Sequence, residues 1–542
     1  STSPPVPEHA PPHRVFFMMM LLLMSLVALP GTGAVSAARG KHGHGEVFEI
    51  AVVGPPLSPL HSLVMVGQEL CLRGHNVTVV SFDERGRQKT KKYSPACELN
   101  YVSLGPLPLS DEAEQETMAR LSTLVNSSLT LMKEAAKHVF SAYFNAMRDP
   151  FRKVMEAGVI KPDYALVSLP FGQVVEVLDE FGVDYAINMP TILVPPISPH
   201  VAAYVPIPFH PVGLWNRSLL DRTLVVGGNY LLHVLKHAAA ILGFRFSFMP
   251  DINPTGWWGR LVIVNSIPGF DYPQPLPPLV QYTGPVVDVA RMEAFPPEVE
   301  AFLDATPEGV PVVYVSFGTV FYLSPERVAA MVNTLNSDRY RVLWALPKVQ
   351  QAGLPPSLPE SILVHHWIPT VRALAHPKVV AFVSHCGGNS AAESMSAGVP
   401  IVGYPQFGDQ PAVCQRIADA GAGRTRPAGC WVQASDVLEV VSTPSFAKRA
   451  QAISRLFRKF GGVGKAADMI ELGARGDLEL MVLPTERSWK AWWQLGGYET
   501  LAIAILLAHL CVFVTFACCR TCWRCCCRRG HASAEPAKEK RQ

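Results

Sequence analysis

The chain has 542 residues, of which 49% are hydrophobic, and its mean hydropathy is +0.19. This length accommodates two domains with additional terminal segments, and the hydrophobic excess predicts membrane segments beside the folded core. The net charge of +3, from 47 basic and 44 acidic side chains, excludes a protein held to nucleic acid by charge alone. The five cysteines of the globular part form no metal-ligand pattern with histidines, and their pairing stays open.

Residues 1–38 are interpreted as a signal peptide region. An almost continuous apolar run, 15–29, follows His13 and Arg14, and the small residues at 35–37 fit a cleavage site. A membrane anchor is the alternative, although this run is short for a bilayer span.

A β-α-β pattern then predicts the start of an N-terminal domain over residues 46–275. A strand at 47–53 leads through a loop into a helix at about 63–72, and a second strand follows at 77–82. The basic run Arg85–Lys92 is interpreted as a solvated loop, with a functional basic patch as the alternative.

A second domain is predicted over residues 310–485, after a Pro-rich linker at 276–309. Its first strand is a buried apolar run that ends in small polar residues, Ser316 and Thr319. This arrangement places polar side chains just past the end of a parallel strand, where α/β sheets bind ligands.

The stretch from Trp367 to Gln410 has the clearest functional pattern. A buried strand ends in the turn Ser384-His385-Cys386-Gly387-Gly388-Asn389-Ser390, and a helix follows. The glycines let an anion approach the backbone, and the start of the helix offers free N–H groups at the positive end of its dipole. Glu393, one turn further in, is placed to accept hydrogen bonds from ribose hydroxyls. Asp409-Gln410 follows the next strand, again just past a strand end.

This stretch resembles the donor-binding signature of the UDP-glycosyltransferases, an inverting family. Trp367, the His-Cys-Gly-x-Asn-Ser turn, Glu393 and the Asp-Gln pair lie at the intervals of that family over 44 positions. An ordinary α/β turn with a structural His is the alternative. The resemblance implies an α/β fold of two Rossmann-like domains that face each other across a cleft, followed by one C-terminal transmembrane helix.

The resemblance also implies a role for each donor-side residue. Trp367 would stack on uracil, and Glu393 would hold the ribose hydroxyls. The diphosphate would contact residues from two strand ends: Ser316, Thr319, His385, Gly387, Asn389 and Ser390. Asp409 and Gln410 would hold the hydroxyls of the sugar. No metal and no other cofactor is expected, because the helix dipole and His385 can stabilise the leaving group.

The acceptor side departs from the family pattern. The catalytic His of the family falls on Pro59 when counted back from Gly74-His75, and His61 lies two residues later. The Asp that would orient that His corresponds to Ser168, while Asp163 lies at the opposite end of the strand. Either His61 takes the place of the base, or the protein works without one. In the second case the acceptor needs little deprotonation, as an amine does, or the protein binds UDP-sugars without turnover.

The C-terminal segment predicts a membrane anchor. The predicted span is 498–519, of which the residues from Leu501 to Cys519 form an apolar run that follows a cluster of tryptophans and matches about one bilayer span. The basic tail, 520–542, would be cytosolic, so the globular body would face the lumen. Two lysines near the chain end resemble a retrieval signal of the endoplasmic reticulum, and Asn126 and Asn216 become candidates for glycosylation.

Together these features predict a single-pass type I protein of the endoplasmic reticulum membrane. It would transfer glucose or glucuronic acid from a UDP-sugar to a small lipophilic acceptor, with inversion. The Pro- and aromatic-rich stretch 190–275 is interpreted as part of an apolar acceptor pocket and of a surface that touches the membrane. No nucleic acid partner is expected, and self-association into a homo-oligomer is left open.

Overall fold

The computed structural model describes residues 46–110, 113, 116–117, 143, 145–168, 173–192, 259–287, 293–318, 323–406, 408–482, 503, 505–518 and 520. The chain divides into two compact units, residues 38–481 and a unit made of 1–37 with 482–542. The predicted signal region, the predicted glycosylation sites and the tail beyond Arg520 lie outside the described residues, as does Thr319.

Seven parallel strands form the first sheet, because their short apolar sequences can be buried on both faces. These strands are β1 (Glu49–Val53), β2 (Asn76–Ser81), β3 (Asn100–Ser103), β4 (Tyr164–Ser168), β5 (Asp184–Met189), β6 (Leu261–Val264) and β7 (Val280–Tyr282). Their order is β3-β2-β1-β4-β5-β6-β7. The helices among them are α1 (Pro59–Leu72), α2 (Arg85–Tyr93), α3 (Arg148–Glu156) and α4 (Gln173–Glu180). The strand order reverses between β1 and β4, so their carboxyl ends form the ligand-binding switch point of this sheet.

Six parallel strands form the second sheet, in the order β10-β9-β8-β11-β12-β13. They are β8 (Val312–Ser316), β9 (Arg341–Ala345), β10 (Ile362–His365), β11 (Val379–Ser384), β12 (Ile401–Gly403) and β13 (Gly423–Thr425). The switch point lies between β8 and β11. The two sheets confirm the predicted pair of Rossmann-like domains.

Eight helices accompany or follow the strands of the second sheet in the described part of the chain. They are α5 (Pro297–Asp304), α6 (Pro325–Leu335), α7 (Thr370–Ala375), α8 (Gly388–Ala397), α9 (Gln410–Asp419), α10 (Ala434–Ser442), α11 (Pro444–Phe457) and α12 (Val463–Arg475). Short 3-10 helices add the segments Lys348–Gly353 and Asp477–Met481.

Two sequence-based assignments differ from the structure. The predicted linker 276–309 contains β7, which pairs with β6 through Val262 and Val280 and so belongs to the first sheet. A strand of three residues between prolines gives too short an apolar pattern to be recognised. The basic run Arg85–Lys92 was predicted as a loop but forms most of helix α2, since lysines and arginines are good helix formers.

A buried ion pair joins the first sheet to the second domain. Asp271, between β6 and β7, accepts a hydrogen bond at 2.7 Å from the guanidinium Nε of Arg416 in α9, and both side chains are 0% exposed. The Tyr282 hydroxyl donates to the other carboxylate oxygen at 3.0 Å. The guanidinium lies 4.3 Å from the ring centroid of Tyr272. Pairing and hydrogen bonding together offset the desolvation of the two charges.

The last helix, α12, packs back onto the first sheet. Arg73, at the end of α1, donates to the Asp468 carboxylate at 2.6 Å and to the Gly464 carbonyl at 3.1 Å. The His75 ring lies between the Phe48 amide, at 3.2 Å, and the Glu471 carboxylate, at 3.0 Å. Helix α12 therefore completes the helical layer over the first sheet.

Two disulfides resolve the pairing that the sequence leaves open. Cys71, in α1, pairs with Cys97 before β3, and Cys386, after β11, pairs with Cys414 in α9. Cys430 remains a free thiol. The second bridge ties the turn after β11 to α9.

Within the described ranges, none of the helices combines the length and the apolar character that crossing a membrane requires. Of the predicted span 498–519, residues 503 and 505–518 are described, and they are helical.

We expect the change Arg416→Met to lower the free energy of unfolding by about 3–5 kcal/mol, because it leaves the Asp271 carboxylate buried and unpaired. Urea denaturation followed by circular dichroism measures this loss. The double variant Asp271→Leu/Arg416→Met should recover part of it, since neither charge is then buried.

The matched control is Arg152→Met, which removes an exposed ion pair with Glu180. That change should leave stability nearly unchanged, because an exposed ion pair contributes little. Equal losses in the Arg416 and Arg152 variants would contradict the importance of the buried pair.

Candidate functional site

The turn after β11 is shaped by two close approaches of the backbone to side chains. A Cβ atom at Gly387 would lie 2.5 Å from the His385 ring, and one at Gly388 would lie 2.5 Å from the Thr191 side chain. Cys386 adopts a φ of 61°, which is unusual for a residue other than glycine. Its disulfide to Cys414 holds it there, so the turn presents the N-terminus of α8 at the switch point.

His385 lies over the end of β8. Burial lowers the pKa of its imidazole to about 4, although a hydrogen bond with the backbone of Ser316 opposes this shift. Its Nδ1 atom is buried and has no hydrogen-bond partner within the described part of the protein. The ring is therefore neutral at physiological pH and retains one nitrogen for a ligand. Ser316 and Ser384 pair across the two central strands, which places both sides of the predicted diphosphate site together.

Helix α8 carries three predicted site residues toward the cleft. The Asn389 amide donates to the Ser58 carbonyl of the first domain at 3.2 Å, and Ser390 follows it on the first turn. Glu393 lines the same pocket as Asn389 and His61. Burial raises the pKa of the Glu393 carboxyl to about 7.

Trp367 lies just beyond β10, and its side chain is 42% exposed. The Lys92 ammonium, from the last turn of α2, is 3.9 Å from the indole centroid. Glu293 accepts from the indole N–H at 3.3 Å and pairs with Lys92 at 3.0 Å. At the position predicted for uracil stacking, the indole face of Trp367 therefore has the Lys92 ammonium above it and the Glu293 carboxylate at its edge.

Asp409 and Gln410 lie at the start of α9. Burial raises the pKa of the Asp409 carboxyl, while the nearby Thr191 side chain and the backbone N–H groups of Asp409 and Gly388 oppose this shift. The Gln410 side-chain carbonyl accepts from the Gln406 backbone amide at 2.9 Å. Asp409 therefore contacts the turn after β11, and Gln410 contacts the loop after β12.

His61 lies in the first turn of α1, and its ring stacks on Tyr93 with 3.6 Å between centroids. Burial, and then the positive charges of Lys89 and Lys92, lower the pKa of His61 to about 3. In the described ranges, no carboxylate hydrogen-bonds to this imidazole. The structure brings His61 to the donor side but gives it no acidic partner.

The other predicted acceptor-side positions, Pro59, Ser168 and Asp163, lie at the ends of α1 and β4. Pro59 is the first residue of α1, and its carbonyl accepts from the Ser62 hydroxyl at 3.1 Å. Ser168 ends β4, where its buried hydroxyl has no partner in the part that the structure covers. Asp163, at the other end, accepts from the Glu49 amide at 2.9 Å.

Sequence reasoning missed several residues at this site, namely Lys92, Tyr93, Thr191 and Asn265. Lys92 and Tyr93 end the basic run that was predicted as a loop, and an aromatic directly after two lysines was the available signal. Thr191 and Asn265 follow β5 and β6, and their proximity depends on strand order. Among the described residues, no group of His, Cys, Asp and Glu is placed to bind a metal ion.

Comparison with known proteins gives a consistent picture. Residues 229–532, more than half of the chain, match the family model "UDP-glucoronosyl and UDP-glucosyl transferase". The chain is 25% identical over 305 residues to UDP-glucuronosyltransferase 2C1 of Oryctolagus cuniculus, which covers 55% of this chain and 58% of that protein. It is 28% identical over 308 residues to UDP-glycosyltransferase stmC of Aspergillus ustus, with 48% and 54% covered. The chain thus spans just over half the length of these relatives.

A solved structure, the glycotransferase of kitacinnamycin, has the same fold. Its TM-score is 0.51 at 19% identity, and the match covers 79% of this chain and 99% of that one. At this identity the comparison supports the pair of Rossmann-like domains and nothing finer.

The pKa of Glu393 makes a prediction about stability. The carboxyl has a pKa of about 7 in the folded protein and 4.5 as its unperturbed value. As the pH rises between these values, the unfolded state loses its proton first, so the wild type loses up to about 3 kcal/mol of stability. Glu393→Gln should not show this loss.

Urea denaturation of both proteins from pH 4.5 to 8 tests this expectation. The difference in unfolding free energy should shift in favour of Glu393→Gln by about 3 kcal/mol across the window. His61 and His385 titrate in the opposite sense but equally in both proteins, so their effects cancel. A difference that is independent of pH would contradict the raised pKa.

Proposed function

Because the chain belongs to the UDP-glucuronosyl and UDP-glucosyl transferase family, we propose that it transfers glucose or glucuronic acid from a UDP-sugar to a small lipophilic acceptor. The observation that carries this proposal is the turn after β11, which presents the N-terminus of α8 at a switch point beside the buried ring of His385, with Glu393 one turn further along the helix. The free N–H groups at the start of that helix suit the diphosphate of a UDP-sugar, and Trp367, just after β10, offers an aromatic face for the base.

The diphosphate would sit against the N-terminus of α8, with the neutral His385 ring as an added hydrogen-bond partner. The acceptor oxygen forms a bond to the anomeric carbon while the bond from that carbon to the β-phosphate oxygen breaks. UDP leaves with the electron pair, and the growing negative charge is stabilised by the helix N–H groups. Attack from the face opposite to UDP would invert the anomeric carbon.

Removal of the acceptor proton is the step for which this site is poorly equipped. His61 is unprotonated at physiological pH, but a base with a pKa of about 3 gains little by accepting a proton. No Asp assists it, because Ser168 occupies that place. We therefore propose that His61 at most accepts a hydrogen bond, and that acidic hydroxyls, such as those of phenols, react better than aliphatic alcohols.

A UDP-sugar-binding protein without turnover is the second candidate. The unpartnered Ser168 hydroxyl and Pro59, in place of the Asp and His of the family, favour it. The donor-side residues are equally consistent with both candidates.

The location is also a proposal. The apolar run from Leu501 to Cys519 and the basic tail support a type I anchor in the endoplasmic reticulum membrane, with both domains in the lumen. The disulfides Cys71–Cys97 and Cys386–Cys414 support this assignment, since such bonds persist in an oxidising compartment.

We expect Trp367→Ala and Glu393→Ala each to weaken UDP binding by about tenfold or more, because stacking and ribose hydrogen bonds are lost. Isothermal titration calorimetry with UDP measures this change. The control is Trp431→Ala, which removes a tryptophan that also carries a cation on its face, Arg327 at 3.6 Å, away from the cleft. Unchanged UDP affinity in both site variants would refute the donor site.

Transfer from UDP-glucose and UDP-glucuronic acid to phenols, aliphatic alcohols and aromatic amines tests the chemistry. For phenols, kcat/KM should rise with pH as the acceptor ionises, and the pH profile should show no additional titration near pH 6.5. His61→Ala should change kcat/KM by less than about tenfold. A titration near pH 6.5 that disappears in His61→Ala would identify His61 as the base. UDP binding without any product would favour the binding protein.

A further inference from the structure

Four polar residues line the carboxyl ends of three neighbouring strands in the first sheet. Ser168 ends β4, Asn188 lies near the end of β5, and Asn265 and Ser266 follow β6. The strand register pairs Ser168 with Asn188, and the backbone N–H of Asn265 donates to the Met189 carbonyl at 2.9 Å. We call these four residues the polar ledge.

The ledge is buried and largely without hydrogen-bond partners. The Asn265 side chain is 5% exposed, and neither its nitrogen nor its oxygen has a partner among the described residues. Asn188 donates to the Ser62 hydroxyl at 2.9 Å but leaves its oxygen unpaired, as Ser168 and Ser266 leave their hydroxyls. Native proteins rarely leave a whole buried amide unpaired, so this arrangement points to a missing polar ligand.

Asn265 is also the ledge residue that faces a pocket. The pocket is lined by the polar residues His61, Asn265, Asn389 and Glu393 and by the apolar residues Pro190, Val286, Val287 and Ala392. An amide offers both a donor and an acceptor, which is the set that one hydroxyl satisfies. The apolar lining residues can contact the hydrocarbon part that adjoins this hydroxyl.

We propose that Asn265 binds the reacting hydroxyl of the acceptor and selects neutral, lipophilic hydroxyl compounds. This inference rests on the proposed transferase function for the identity of the ligand. The amide would accept the hydroxyl hydrogen and donate to its oxygen, beside the N-terminus of α8. Lys89 and Lys92, whose charges act on the neighbouring His61, disfavour an ammonium group at this position.

Binding of 2-naphthol and of naphthalene to the full-length protein saturated with UDP tests the inference without requiring turnover. The wild type should bind 2-naphthol about tenfold more tightly than naphthalene, as one satisfied buried amide allows. In Asn265→Leu the two affinities should become equal. The control Ser266→Ala changes the next ledge residue, which does not line the pocket, and should keep the preference.

Thermal unfolding separates this role from a structural one. Because the amide is unpaired without ligand, Asn265→Leu should unfold at the same or a higher temperature than the wild type. A lower temperature, an absent preference for 2-naphthol in the wild type, or a preference retained in Asn265→Leu would overturn the inference.

Kinetics distinguish this result from the fate of the proposed function. With UDP-glucose, Asn265→Leu should raise the KM for 2-naphthol about tenfold and leave the KM for UDP-glucose unchanged. If only the KM for UDP-glucose rises, Asn265 binds the sugar donor and not the acceptor, and the inference is overturned. If the wild type prefers 2-naphthol in binding but forms no product, the transferase proposal fails and the assignment of Asn265 as a hydroxyl-binding residue stands.

Discussion

The geometry of the donor site depends on the buried pair of Asp271 and Arg416. Arg416 lies in α9, the helix that begins with Gln410 and is preceded by Asp409. The same helix carries Cys414, which is bonded to the turn after β11 through Cys386. A fully buried charge pair tolerates little displacement, because any separation exposes each charge to a medium that solvates it poorly. The pair therefore fixes the start of α9 and the turn after β11 relative to the first sheet at once.

Buried polar side chains without a hydrogen-bond partner occur in both domains within the described part of the chain. In the second domain, His385 leaves its Nδ1 atom unpaired, while Asn389 bonds to Ser58. In the first sheet, Asn265 is buried with neither of its side-chain polar atoms paired. A ligand that reaches these groups would gain hydrogen bonds that cost it no competing protein contact.

Local patterns explain what the sequence could predict. The strands, the glycine turn and the spacing from Trp367 to Gln410 all lie within short stretches, so the two Rossmann-like domains followed directly from them. The roles of His385, Asn389 and Glu393 stay predictions. The polar ledge could not be predicted, because it requires the order β4-β5-β6 and brings together residues almost a hundred positions apart. The many basic residues of Arg85–Lys92 led to its prediction as a solvated loop. The segment is instead most of helix α2, and its Lys92 lies over the ring of Trp367. β7 lies within the predicted linker 276–309, because the prolines around it hide its short apolar pattern.

The return of α12 to the first sheet has a consequence for synthesis. Arg73 and its partner Asp468 are 395 residues apart in the chain. During translation the first domain is therefore complete in its strands long before the helix that covers α1 leaves the ribosome. Until then, the face of the first domain that α12 covers stays exposed, and such surfaces favour association between incomplete chains. The strands of the first domain are thus made early, but its helical layer is completed only when α12 has been synthesised.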